Sequence, residues 1–147
     1  MAEPANSGSC LCGAVQYLLY GKPLNSAVCH CDSCQKFTGS AFVVNCWYKE
    51  EASKPTPNVR LTRGDDSIQT FNEQGTTTGQ TMKRSFCRTC GSSLFMQTAE
   101  LRKQNVVSVT SGTMADRTDC QPGLEVWCAN RRGWVTLNHQ GERLERQ

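Results

Sequence analysis

The chain has no long hydrophobic run. Across its 147 residues, no stretch approaches the roughly eighteen consecutive apolar residues that a membrane-spanning helix needs, so neither a span nor a membrane partner is expected. The opening residues, Met1-Ala2-Glu3-Pro4-Ala5-Asn6, offer no basic stretch with an apolar core behind it. No secretory signal is therefore expected, and the cytoplasm is the expected compartment. Helical periodicity is missing as well: no segment keeps an apolar face for three turns, and only residues 97–103 suggest a short helix. There is no internal repeat, and nothing is low-complexity beyond the polar first nine residues. Charge of one sign is also scarce, with 16 Lys and Arg against 13 Asp and Glu, a formal +3. An ordinary hydrophobic fraction of 37%, with three Trp and five Phe, excludes wholesale disorder.

What is present is a series of short runs rich in β-branched and aromatic residues, bounded by Gly, Pro, Asn or Asp. They fall at 14–20, 41–48, 59–62, 67–71, 82–86, 93–96 and 106–110. Segments 53–58 and 74–79 read as exposed loops, since both are polar and punctuated by Pro or Gly. The expectation is a single, mainly antiparallel β domain over residues 8–138. A polar segment, 1–7, precedes it, and a charged, solvated tail, 139–147, follows it.

Ten cysteines in so short a chain need an account. A disulfide framework of the secreted kind is one reading, but no signal is expected and a chain of this length does not need staples to fold. Spacing points elsewhere. The cysteines fall as Cys10-x-Cys12, Cys29-x-Cys31-x-x-Cys34 and Cys87-x-x-Cys90, with Cys46, Cys120 and Cys128 alone. Clusters one and two residues apart are chelate spacings, because a single turn aims two thiolates at one ion. Cys87-Arg88-Thr89-Cys90-Gly91 has the form of a zinc knuckle, with a positive φ expected at Gly91. It supplies half a tetrahedral site, and Cys10-Leu11-Cys12-Gly13 supplies the other half, giving a closed and therefore structural centre.

Cys29, Cys31 and Cys34 offer three thiolates from one segment. Three protein ligands with a vacant fourth position are the coordination of a catalytic zinc. The alternative is a closed second site, with a fourth ligand among Cys46, Cys120, Cys128, His30 and His139. Two Zn²⁺ per chain are expected. Cys46 and Cys128 lie in strand-like runs and read as small core residues, whereas Cys120, in a polar stretch, has no evident partner.

At these cysteines the chain resembles the glutathione-dependent formaldehyde-activating enzyme family, whose domain is shared with centromere protein V. The matching stretches run from Gly8 to Tyr17, from Cys29 to Phe42 and from Arg84 to Leu94, with a looser match beyond about residue 95. The resemblance implies a β-tent fold of antiparallel sheets. It also implies a structural zinc on Cys10, Cys12, Cys87 and Cys90, and a second zinc on Cys29, Cys31 and Cys34 with an exchangeable fourth position. The activity it implies is condensation of glutathione with formaldehyde to S-hydroxymethylglutathione, classed in reverse as a carbon–sulfur lyase. Fold and family fix such a site better than they fix the reaction.

The chemistry suits an open three-cysteine zinc. A free thiol has a pKa of about 8.5 and is mostly protonated at neutral pH, whereas coordination to zinc deprotonates it. Three thiolate ligands make the zinc a weak Lewis acid, which favours sulfur delivery over hydrolysis. The H-x-E motif of zinc deaminases is absent. Glutathione or a glutathione conjugate, with two carboxylates, calls for cations and backbone amides. Lys36, Arg84, Arg88, Arg131 and Arg132 are candidates, with Gly39 and Ser40 in the turn nearest the open cluster. His30 and Asp32, then Glu125, are the acid/base candidates; Trp127 and Trp134 either wall the pocket or, more in keeping with their size, fill the core.

Two rival functions remain at this level. One is a noncatalytic zinc-stabilised module for protein or chromatin interaction, which this chain would serve without a long basic extension. The other is a thiol redox enzyme, for which Cys120 is the available free cysteine. Nucleic acid is not an expected partner. Seven ligand thiolates contribute −7 and two Zn²⁺ contribute +4, which takes the formal +3 to about zero.

Overall fold

The computed structural model describes residues 3–50, 58–118 and 120–147. Two sheets carry these residues. The smaller has the order β1 (Asn6–Ser9), β2 (Gln16–Leu19), β5 (Val59–Arg63), all antiparallel. The larger has eight strands: β11 (Glu142–Arg143), β10 (Leu124–Val126), β3 (Asn25–Cys29), β4 (Val43–Lys49), β9 (Val106–Thr110), β8 (Ser93–Thr98), β7 (Met82–Cys87) and β6 (Ile68–Glu73). Its pairs from β3 through to β6 are antiparallel, whereas β10 runs parallel to both β3 and β11. The expected mainly antiparallel β domain is what forms.

β9 sits near the middle of the large sheet, and all five of its residues are buried. A run of Val-Val-Ser-Val-Thr is suited to that place, because β-branched side chains pack well on a pleated surface covered on both sides. The main core cluster joins Tyr17 and Leu19 of β2 to Cys46 and Tyr48 of β4, Leu94 of β8 and Val109 of β9. The expectation of Cys46 as a core residue is met, with no exposure at all. A second, smaller cluster gathers Cys34, Val43 and Met96, with Phe37 and Met82 packed against them. It forms the floor beneath the Cys29–Cys34 segment.

Differences from expectation sit where polar residues disguise regular structure. After Cys31, where the sequence suggests no element, the chain forms α1 (Asp32–Thr38), closed by Gly39 at φ 67°. The short helix expected at 97–103 is α2 (Ala99–Lys103), capped by the Thr98 side chain. Loop 74–79 lies largely exposed, as expected. Of the other expected loop, residues 53–57 lie outside the described residues.

Three corrections matter for the site. The tail beyond 138 is not free: most of its side chains are exposed, but Glu142 and Arg143 pair with β10, and the Cys128 N–H donates to the Leu144 carbonyl at 3.1 Å. Cys128 stands in a 3₁₀ turn, Cys128–Asn130, half-buried rather than in a core strand. Trp134 is 78% exposed rather than in the core, because the chain has already left the sheet there.

Candidate metal centres and the cleft beside them

The first centre is assembled from two tight turns. Cys10 and Cys12 follow β1, where the Gly13 N–H donates to the Cys10 carbonyl at 3.1 Å and Gly13 takes φ 76°. Cys87 ends β7, and the Gly91 N–H donates back to its carbonyl at 2.8 Å with φ 74°, the left-handed turn expected there. The four sulfurs all lie within 4.8 Å of one another. Cys10 and Cys12 are 3.6 Å apart, and Cys12 and Cys87 3.8 Å apart. The Leu11 N–H donates to Ser92 Oγ at 2.9 Å, which ties one turn to the other. Ser92, with nearby backbone amides, also holds the Cys90 thiol down at about 5, favouring the thiolate a metal requires.

The second group is Cys29, Cys31 and Cys34, whose sulfurs also lie within 4.8 Å of one another. Cys29 ends β3; Cys31 caps α1, accepting from the Cys34 N–H at 3.3 Å; Cys34 is in the first turn. Among the described residues no fourth His, Cys, Asp or Glu joins them. Alone, the thiols cannot all ionise. Contacts with Cys29 and Cys34 hold Cys31 down at about 2, while contacts with Cys31 and Cys34, then burial, push Cys29 far up. Three thiolates this close need a cation to balance their charge. Both donor sets are soft thiolates in tight clusters, and they fit zinc.

A buried cation stands beside this second group. Arg84 of β7 is 3% exposed; its Nη1 lies 3.9 Å from Cys34 Sγ, and its Nε donates to Glu73 Oε2 at 2.7 Å. Burial works against its charge, but Cys34 and Glu73 more than offset that. The Ser33 hydroxyl donates to the other oxygen of Glu73, and Phe37 lies 5.2 Å below the guanidinium. Arg84 therefore neutralises thiolate charge from inside the protein and is not a free hand for a substrate carboxylate. Sequence reading noted Arg84 but missed Glu73, whose only local signal is an acidic residue at the end of a strand.

The face of α1 turned outward forms a cleft of about 560 Å³, lined by Asp32, Gln35, Lys36, Gly39, Ser40, Ala41, Arg132 and Trp134. Of the expected substrate contacts, Lys36, Arg132, Gly39 and Ser40 meet here, with Trp134 on the wall. Arg88 does not. It sits on the first centre's knuckle, exposed, with Nη1 3.3 Å from the Asp66 carbonyl. Asp32 is exposed at the cleft and accepts from Asn130 Nδ2 at 3.1 Å.

His30 lies elsewhere. It has no solvent exposure, and Nε2 donates to Glu125 Oε1 at 2.8 Å, while the buried Nδ1 has no hydrogen-bond partner among the described residues. Glu125, equally buried, accepts from Arg131 on the same oxygen at 3.3 Å. On the other oxygen it accepts from His139 at 2.8 Å and Arg143 at 3.0 Å. Burial pushes this carboxyl up, but the bonds from His139, His30 and Arg143 outweigh it and hold the pKa at about 2.

The remaining cysteines carry no metal group. Cys120, expected to lack a partner, is half-buried with its sulfur 3.3 Å from Cys46 and 3.6 Å from Met114. It is thus a packing thiol rather than the exposed thiol a redox enzyme would present. All ten cysteines are free.

A small β domain with two cysteine groups that could each hold a metal ion, one of four sulfurs and one of three, defines the class. Residues 5–130 match the model of the glutathione-dependent formaldehyde-activating enzyme family, and the chain belongs to that family. The match carries the resemblance well past residue 94 and stops short of His139 and Arg143. No curated protein matches the chain. Membership indicates glutathione-linked, formaldehyde-activating chemistry with glutathione as the partner. None of the helices among the described residues is long and apolar enough to cross a membrane.

Proposed function

We propose that this protein is a zinc-dependent carbon–sulfur lyase or synthase acting on glutathione or a glutathione adduct, of the S-hydroxymethylglutathione synthase type. The observation that carries the reading is the three-cysteine group with no fourth ligand among the described residues; the outer face of α1, the helix that bears Cys34, carries a cleft with cations on its wall. Cys29, Cys31 and Cys34 would hold the zinc, which when bound would supply a position for the substrate sulfur as thiolate at neutral pH.

The chain's own residues do the rest. Lys36 and Arg132 pair with the tripeptide's carboxylates, and Trp134 covers an apolar part of the ligand, while the Gly39–Ser40 turn lines the cleft with its own N–H groups donated to the Gln35 carbonyl and the Thr38 hydroxyl. Arg132 is already held by Gln35, its Nε donating to Oε1 at 2.8 Å, so part of its ordering cost is met before substrate arrives. In the forward direction a bond forms between the sulfur and the formaldehyde carbon, the carbonyl π bond breaks, and the thiol's proton ends on the new hydroxyl. Asp32, exposed at the cleft, would carry that proton. His30, expected as an acid/base group, is sealed from the cleft's solvent and serves the loop rather than the proton.

Cobalt substitution tests the reading, because Co²⁺ thiolate spectra report a change of ligand. Titrating glutathione into the dicobalt protein should alter the visible spectrum, with one equivalent bound per chain. An unchanged spectrum overturns the proposal and leaves a noncatalytic zinc module in its place.

A further inference from the structure

The segment Cys29-His30-Cys31 is held at more points than two ligands alone would give. The His30 N–H donates to the Val126 carbonyl at 3.1 Å, and the His30 carbonyl accepts from Gln35 Nε2 at 2.7 Å. Its ring packs edge-on against Phe42 at 5.6 Å, and Nε2 is fixed on Glu125. Rotation of the peptide units that aim Cys29 and Cys31 is therefore blocked from both sides of the residue between them. β10 delivers this clamp through its parallel register with β3, in which Glu125 faces Val28 and Val126 faces Cys29.

The clamp in turn depends on the end of the chain. Glu125 has no water contact, so its charge rests on its four donors. Three of them, Arg131, His139 and Arg143, lie beyond residue 130, where the family match ends. The strap is also fixed by its backbone: the Glu142 N–H donates to Gly123 and the Leu144 N–H to Glu125, at 3.0 and 2.8 Å.

We propose that Glu125, secured by His139 and Arg143 of the C-terminal strap, is the positioning residue of the Cys29–Cys31–Cys34 centre and acts through His30. The inference rests on the reading that these three cysteines hold a metal. Histidine here is not a ligand but the link between a ligand loop and a buried carboxylate. Groups behind a ligand set commonly matter about 10- to 100-fold to metal affinity.

The test measures zinc affinity of each centre in the full-length protein by chelator competition, with the dicobalt spectrum as the second readout. His30→Ala should weaken the second centre by about 10-fold or more, leave the first unchanged, and alter the cobalt–thiolate bands of one ion. His30→Gln, which can still reach Glu125 with an N–H, should restore most of that loss. Glu125→Gln should weaken the second centre, and its combination with His30→Ala should be less than additive. His139→Ala and Arg143→Ala, on the strap, should each cause a smaller loss, and they decide the matter if the Glu125 variant does not fold. Wild-type affinity in His30→Ala overturns the inference, as does wild-type affinity in both strap variants, or a His30→Gln variant as weak as His30→Ala. A wild-type protein that binds only one metal overturns both this inference and the proposed function; two metals with unaffected variants overturn this inference alone.

Discussion

Lys36 and Arg132 come from chain positions far apart, one on α1 and one past β10, yet both face the same cleft. Lys36 is a flexible point charge, whereas the guanidinium of Arg132 offers a rigid fork already held by Gln35. If they pair with the carboxylates of glutathione, each forms a charge-assisted bond worth about 1.5–3 kcal/mol. Lys36→Ala and Arg132→Ala should then each raise KM for glutathione about 10-fold, with a smaller change in kcat, and the Arg132 loss should be the larger. Steady-state kinetics with glutathione varied checks this. A fall in kcat alone with KM unchanged would remove both residues from substrate binding. Arg84 differs in kind: buried between Cys34 and Glu73, it balances charge inside the protein. Losing one partner of such a buried pair typically costs about 3–5 kcal/mol, so its replacement should reduce folded yield rather than KM.

Among the elements, the two cysteine groups do different jobs because they join different things. The first ties the turn after β1 to the turn after β7, across 75 residues and between the two sheets. Its loss removes binding energy that is folding energy, on the order of 10 kcal/mol for a structural zinc. The second joins residues within a single strand–helix unit that the core beneath it already holds. Cys10→Ser and Cys87→Ser should therefore give aggregated or unfolded protein, whereas Cys31→Ser should stay folded, with one zinc and no glutathione response. Circular dichroism with metal analysis checks both, and equal collapse of the two classes would dissolve the distinction. The chelate spacings made these groups legible in the sequence, because a turn with one or two intervening residues has few other uses. The Val106–Thr110 strand was equally legible, since its β-branched residues need no context. α1 was not: two turns are too short for a periodic pattern, although Gly39 marked its end. β3 was also missed, because Asn25 and Ser26 conceal a strand whose burial comes from its neighbours β4 and β10. Nor was the strap legible. His139 read as a tail residue or a fourth zinc ligand and Arg143 as a tail charge, and only the fold brings a fully buried Glu125 between them.

For the whole molecule, the arrangement orders the loss of its metals. The first group bridges the two sheets, with Cys10 and Cys87 buried, Cys90 half-buried and Cys12 exposed. The second lies at the end of β3 and the start of α1, with Cys29 and Cys31 half-buried and Cys34 buried, all within one strand–helix unit. Local opening of a strand–helix loop needs less free energy than separating two sheets, so the second ion should exchange first. A chelator added to the dizinc protein should therefore release zinc in two phases of one equivalent each. The first should abolish the glutathione response while far-ultraviolet circular dichroism and melting temperature change little. The second should coincide with loss of the fold, because the sheets then lose their cross-link. Glutathione in excess should slow the first phase alone, since a ligand that binds only the loaded centre stabilises it by mass action. Release in a single phase, or protection of both phases alike, would mean that the centres are energetically one, and that structural and reactive zinc are not separated in this fold.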